Sequence, residues 1–416
     1  MPMGVRLIER LSMSSPFVLS ICVPSRNRQK YFKQTIAALI SNPRSDVEFV
    51  FVDNSDAPDE MRDFMKAYEA DRRIKFIPAG ERIYSMLDNW ERTVAASTGE
   101  WVTIIGDDDY ADPDVALLIP KILNVIPHTD AISWNRMVYA WPGANPLPSS
   151  VPVPVGSQIV EVSQKLLLNR MFGWEGATFL PECLFSIYHG CIRRSLLDTI
   201  RQKNGGRYFE YPTVDFDMAF KVLTTGKTFI SIERSFSILG ACPESNSASI
   251  GRIEDLKKKH AAFQKDLGRN MDQDPVMRGF PFPTILGVSA AILAAQHWFK
   301  TTYGFVYTGF EKNFAKACEK NCETAIDEEA FEFYANGYRD AFRIWDGGKH
   351  LKHFNPVFRK RDFSLPAFLG MHNQLAFVAD DIGGAQNPHE LYKIISGMMD
   401  APEDIPIVIR KVGFDM

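Results

Sequence analysis

The chain has 416 residues, 45% of them apolar and 24% charged, so it can bury a sizeable core and is not a disordered chain. Its formal net charge of -4 argues against a nucleic-acid polyanion as the main partner, because neutralising phosphates needs a basic face. The six cysteines are scattered without a CxxC pair, which excludes a disulfide scaffold and fits a reducing cytoplasm.

Residues 1–16 lack the apolar core of a signal peptide and read as an N-terminal extension. From Phe17 the chain alternates regularly. "FVLSICVP" reads as a buried strand and "SRNRQKYFKQTIAALISN" as a helix, with apolar residues at Phe32, Ile36, Leu39 and Ile40. "VEFVFVDNS" is a second strand that stops at turn-forming residues, and "APDEMRDFMKAYEA" is a helix with acids in its first turn. "IKFIPAG" is a third strand, "YSMLDNWERTVAASTG" a helix stopped by Gly99, and "EWVTIIGDDD" a fourth strand. This alternation predicts βαβ units, a mainly parallel sheet flanked by helices, and a ligand crevice at the carboxyl ends of the strands. Three polar tips would face it: Pro24-Ser25-Arg26-Asn27, Asp53-Asn54-Ser55-Asp56 and Gly106-Asp107-Asp108-Asp109.

Further on, "VALLIPKILNVI" reads as a helix, "DAISWNRMVYAW" as a strand and "PGANPLPSSVPVPVG" as a Pro-rich insertion. "HGCIRRSLL" turns into a helix, and "YPTVDFDMAFKVLTTG" is a helix capped by Thr213 or Asp215 and closed by Gly226. "KTFISIERSFSIL" supplies one or two strands. Beyond about Arg252 strands become scarce, so residues 251–416 are expected to be a mostly helical C-terminal domain of unknown role following the domain of residues 17–250, either a separate helical module or a C-terminal extension. The apolar run Ile285 to Ala295 is too short to cross a bilayer and reads as a buried helix.

Three adjacent carboxylates at the end of a buried strand repel one another and are costly to desolvate, a difficulty that a divalent cation such as Mg²⁺ or Mn²⁺ resolves. A solvated acidic turn is the competing reading. Asp215 reads as an N-cap on position alone. His189 serves equally well as an acceptor contact or as a structural residue. Trp174, Trp141 and Tyr139 suit core packing or sugar stacking, Arg193-Arg194 reads as a solvated pair, and "ESNSASIGR" from Glu244 reads equally as a lid or as an ordinary loop.

Four separated motifs resemble a family 2 glycosyltransferase of the GT-A fold. They are "LSICVPSRNR", "FVFVDNSDAPD", "NWERTVAASTGEWVTIIGDDDY" and "PTVDFDMAFKVLTTGKTFI", spread over Phe17 to Leu239. The resemblance implies a GT-A α/β domain with a nucleotide-diphosphate sugar as donor and a carbohydrate or lipid-linked acceptor. It places Pro24, Ser25, Arg26, Asp53, Asp88 and Asn89 around the nucleotide. Asp107-Asp108-Asp109 takes the place of the DxD motif, with Asp109 and Asp107 on the metal and Asp107 and Asp108 also reaching ribose or metal-bound water. Asp215 falls where the family's general base stands, although Val214 replaces the first acid of the usual pair; Glu182 is the second candidate. One base and no evident nucleophile imply single displacement with inversion. The family's usual setting is polysaccharide assembly, in the cytoplasm or peripherally at the inner membrane face. Two alternatives stay open: a non-catalytic nucleotide-sugar-binding protein, and a nucleotidyltransferase, which would ordinarily show glycines after the first strand.

Overall fold

The computed structural model describes residues 15–144, 149–182, 185–244, 253–267, 271–360 and 366–414. Almost all of the N-terminal extension, and all but Glu244 of the loop read as a lid, lie outside the described residues. The first part follows the predicted alternation: β1 (Leu19–Ser25), α1 (Gln29–Ile40), β2 (Val47–Asp53), α2 (Asp59–Met65), β3 (Ile74–Ile77), α3 (Met86–Ala96) and β4 (Trp101–Ile104). Every residue of β1 and β2 is buried, as in a strand with both faces covered. β1 pairs in parallel with β2 on one side and with β4 on the other, and β2 pairs in parallel with β3. The order β4-β1-β2-β3 therefore reverses direction beside β1, so the switch point where open α/β sheets bind ligands falls at the carboxyl ends of β1 and β4.

The chain continues through β5 (Tyr110–Ala111), α4 (Leu118–Val125), β6 (Ala131–Ala140), β7 (Ser150–Pro154), β8 (Ile159–Val162), α5 (Gln164–Phe172), β9 (Gly190–Arg193), α6 (Arg194–Lys203), α7 (Val214–Thr225) and β10 (Phe229–Ala241). β9 runs antiparallel between β4 and β6, and joins the N-terminal strands to the rest of the sheet. β10 lies parallel to β6 with irregular register around Ser235, and its far end meets the short β5. Part of the Pro-rich insertion is strand β7, because Val151 and Val153 turn inward while Pro152 and Pro154 lie toward the outside.

Helices α8 (Ile253–Leu267), α9 (Val288–Tyr303), α10 (Glu311–Glu323) and α11 (Glu328–Ile344) follow. α9 is the predicted buried helix, and no helix among the described residues is long and apolar enough to cross a membrane. The helices are not a detached module. Leu293, Phe299, Phe314 and Tyr338 share one continuous core with Val50 of β2, Ile104 of β4 and Phe220 of α7. The opposite face of the sheet, carrying Leu19, Ile21 and Val23, packs on α1 and α4 and on the last part of the chain.

That last part departs from the sequence expectation. After the helices come β11 (Gly370–His372), β12 (Leu375–Ala379), α12 (Pro388–Ile395) and β13 (Ile409–Val412). β12 pairs with β7, and β13 adds to the long sheet beside β8. These strands are three to five residues long and largely half-buried or exposed, too short for hydrophobic periodicity to mark them. Tyr392 on α12 then donates to Asp112 Oδ2 at 2.8 Å, close behind the aspartate turn.

Candidate functional site

The carboxyl ends of β1 and β2 lie side by side, with Ser25 paired to Asp53 in register. Asp53 is fully buried. Its Oδ1 accepts from the Ser55 amide and hydroxyl, while Oδ2 has no hydrogen-bond partner. An orphaned carboxylate oxygen of this kind fits a ribose hydroxyl or a base N–H. The neighbouring Asn54 clamps the Tyr84 backbone through both ends of its amide, at 2.8 and 2.9 Å. Tyr84 carries Arg82 and Arg92 over its ring, with guanidinium carbons 4.6 and 4.5 Å from the centroid. The sequence reading passed over Tyr84 because a lone aromatic in a loop carries no pattern.

The aspartate turn follows β4, and its three carboxylates do different work. Asp107 accepts from the Ser25 hydroxyl at 2.6 Å and faces Arg28 Nη2, which is 2.9 Å from its Oδ1. That pair is a close charge contact without hydrogen-bond alignment, so Oδ1 remains unsatisfied in the hydrogen-bond sense. Burial pushes the Asp107 carboxyl up to about 7 against the pull of Arg28. Asp108 lies 3.3 Å from Arg28 Nη1 and accepts from the Cys242 amide at 3.3 Å. Burial opposes the charge on Arg28, but the Asp107 and Asp108 carboxylates outweigh it and hold the guanidinium firmly ionised.

Asp109 points into the wall. Oδ1 accepts from the Gly240 amide at 2.7 Å. Oδ2 accepts from the Gly106 amide at 2.6 Å and the Tyr188 hydroxyl at 2.8 Å, with His189 Nε2 at 3.0 Å. Burial works to raise the Asp109 pKa, yet His189, Tyr188 and the Gly106 amide together hold it below the ordinary carboxylate range. An ionised carboxylate only accepts, so His189 Nε2 carries the proton, and Nδ1 is left buried without a partner. The sequence expectation gave the metal to Asp109 and Asp107. Three of the four donors to Asp109 are on Oδ2, while Oδ1 accepts from the Gly240 amide. The oxygens of Asp107 and Asp108 that face Arg28 are the hard donors a divalent ion would fit. Among the described residues no group of three His, Cys, Asp or Glu side chains is gathered as a metal cluster.

The segment from Ser186 to His189 touches both Asp215 and the aspartate turn. The Ser186 hydroxyl donates to the Asp215 carbonyl at 2.9 Å, and Tyr188 and His189, two and three residues on, reach Asp109. Asp215 lies in the first turn of α7 rather than at its N-cap, which is Thr213. Burial raises its pKa, partly offset by the Phe216 amide and the charge of Arg136. Arg136, on β6, also acts on Tyr188, and the sequence reading missed it because its partners come from other elements. His189 adopts a left-handed backbone with φ 57°, as does Asn27 beside Arg28 with φ 57°, so two strained residues flank the aspartate turn.

The other candidates sit at the margin or elsewhere. Pro24 is within β1, and Arg26 pairs with Asp266 on α8 and reaches Asp56 at 4.0 Å. Asp88 pairs with Arg207 at 2.7 Å, and buried Asn89 accepts from Arg92 at 2.8 Å. Glu182 pairs on the surface with Arg170 at 3.1 Å. Trp141, Tyr139 and Trp174 are buried: their polar atoms donate to the carbonyls of Asp108 and Ala385 and to Gln296 Oε1. Arg194 is spent on the Gly99 carbonyl and the Ser97 hydroxyl.

Residues 20–172 match the sequence profile of glycosyl transferase family 2. No curated protein matches the chain. Among solved structures, residues 1–349 of TarS from S. aureus align at a TM-score of 0.39 and 14% identity, covering 81% of this chain and 88% of that one. The same TarS fragment in complex with UDP-GlcNAc aligns at a TM-score of 0.43 and 13% identity, covering 81% and 89%. Scores at this level mark a loose likeness and carry no argument about the site. The informative finding is the profile match on the strands that carry Ser25, Asp53 and the aspartate turn: residues 20–172 of this chain are similar to glycosyl transferase family 2.

Proposed function

We propose that this chain transfers a sugar from a nucleoside-diphosphate donor to a hydroxyl acceptor, with inversion, and that Asp215 is the general base. The observation that carries this reading is the gathering of Ser25, Asp53, Asp107 and Asp108 at the carboxyl ends of β1, β2 and β4, within the segment that matches the family. The unpartnered Asp53 Oδ2 receives the nucleoside. Arg28 and Arg26 are the cations at the rim for the two phosphates. Asp107 and Asp108 would hold a divalent cation, which supplies charge stabilisation for the diphosphate as it leaves.

Asp215 then takes the proton of the acceptor hydroxyl as that oxygen attacks the anomeric carbon on the face opposite the diphosphate. Its raised pKa makes it a stronger base than an exposed aspartate, and the charge of Arg136 keeps it from being protonated too readily. Asp215→Asn keeps the size and backbone of the residue but cannot accept the proton. Nucleoside-diphosphate binding should be unchanged by calorimetry, while transfer falls by about 10²–10⁴-fold. Full turnover in this variant would remove Asp215 from the chemistry. Absence of any thermal stabilisation by nucleoside diphosphates, with or without Mn²⁺, would overturn the donor site itself.

A further inference from the structure

Outside the roles given above, one feature of the crevice is unaccounted for: a single guanidinium holds two of the three aspartates. Arg28 Nη2 is 2.9 Å from Asp107 Oδ1, and Nη1 is 3.3 Å from Asp108 Oδ2. The other Asp107 oxygen is already taken by the Ser25 hydroxyl at 2.6 Å, and Asp109 is held by His189, Tyr188 and two amides. The oxygens facing Arg28 are thus the pair through which a cation could bridge Asp107 and Asp108. A divalent ion needs those oxygens at roughly 2.0–2.2 Å and would meet the guanidinium in the same space. Both cations together would repel strongly in a site where Asp107 is fully buried and Asp108 is 4% exposed.

We infer that Arg28 is a built-in counter-ion that occupies the cation position between Asp107 and Asp108, so that a divalent metal binds only by displacing it. The Arg28 side chain is 27% exposed, unlike the carboxylates it pairs with, and so has a way out toward solvent. The residue just before α1, it follows Asn27 in the left-handed conformation, which sets the side chain back over the aspartate turn. Swung aside, the guanidinium meets the diphosphate that the metal accompanies. Arg28 is therefore a positioning residue for the acidic turn before a metal binds, and the inference rests on the donor-site reading.

The test is Mn²⁺ binding to the full chain without nucleotide, followed by the EPR signal of the free ion. Arg28→Gln should bind Mn²⁺ at least tenfold more tightly than the unsubstituted protein, and adding Asp108→Asn should abolish the gain. Arg28→Lys keeps the charge but cannot fork across two carboxylates, so it should bind Mn²⁺ at least threefold more tightly. Equal or weaker binding by Arg28→Gln, no binding by either protein, or a gain that survives Asp108→Asn would overturn the inference. If Arg28→Gln does not fold, as judged by its melting transition, Arg28→Lys decides by the same criterion. Thermal stabilisation by nucleoside diphosphate in EDTA and in Mn²⁺ reports the donor site separately, so failure of one reading is not mistaken for failure of the other.

Discussion

Asp109 and Asp215 are pushed in opposite directions by their surroundings. Asp109 is surrounded by donors and stays ionised in the interior, where it fixes the turn that presents Asp107 and Asp108. At Asp215 burial outweighs the Phe216 amide and the charge of Arg136 and raises the pKa. A base must be deprotonated to act, so transfer should be lost as pH falls through the Asp215 pKa and be regained above it. The acid limb of the kcat profile should therefore lie above the ordinary aspartate value of about 3.9. An acid limb at the ordinary value would place the base elsewhere. Ser25, Asp53 and the acidic triplet could be found from the sequence because each ends an apolar run. Arg28, Tyr188 and Arg136 could not, because their roles arise from contacts with residues far away along the chain. Among the three acids the sequence could not rank Asp109 against its neighbours: the donors that turn it inward come from β10 and from the segment before β9.

At the scale of the element, the tightest constraint on the turn is β10. A Cβ added at Gly240 would lie 1.7 Å from the Asp108 carbonyl oxygen and 2.8 Å from Trp141 Nε1, which itself donates to that carbonyl. Gly240→Ala must therefore push β10 away from the aspartate turn and break the Gly240 bond to Asp109. It should lower the melting temperature and weaken nucleoside-diphosphate binding at least tenfold in calorimetry. Unchanged binding would mean that the turn is held by His189 and Tyr188 alone. The continuous apolar runs β1 and β2 and the periodic helices α1 and α3 were legible at close to their observed bounds. β11, β12 and β13 were not, since a strand of three to five half-exposed residues is defined by the partner it pairs with and not by its own pattern.

For the whole molecule, the division expected at about residue 250 does not coincide with a break in the packing. Phe172 of α5 packs on Phe299 of α9 and on Phe305, with centroids 5.9 and 4.7 Å apart, and buried Gln296 bonds both Trp174 and the Phe172 carbonyl. Removing residues 251–416 would strip this face of the sheet and leave those buried polar groups unpaired. A chain of residues 17–250 should fail to show a cooperative melting transition or should aggregate on expression. A soluble fragment with a sharp transition would restore the two-domain view.

The pairing of β13 with β8 also bears on how the chain comes to be folded. Ile409 lies opposite Ile159, and Val412 opposite Val162, so the outer edge of β8 has to wait for a segment made about 250 residues later. At synthesis rates of about 5–20 residues per second, that edge stays open on the nascent chain for on the order of 12 to 50 seconds. An uncovered strand edge is a template for pairing with another chain. The interval before β13 arrives is thus when neighbouring nascent copies are most prone to associate through β8.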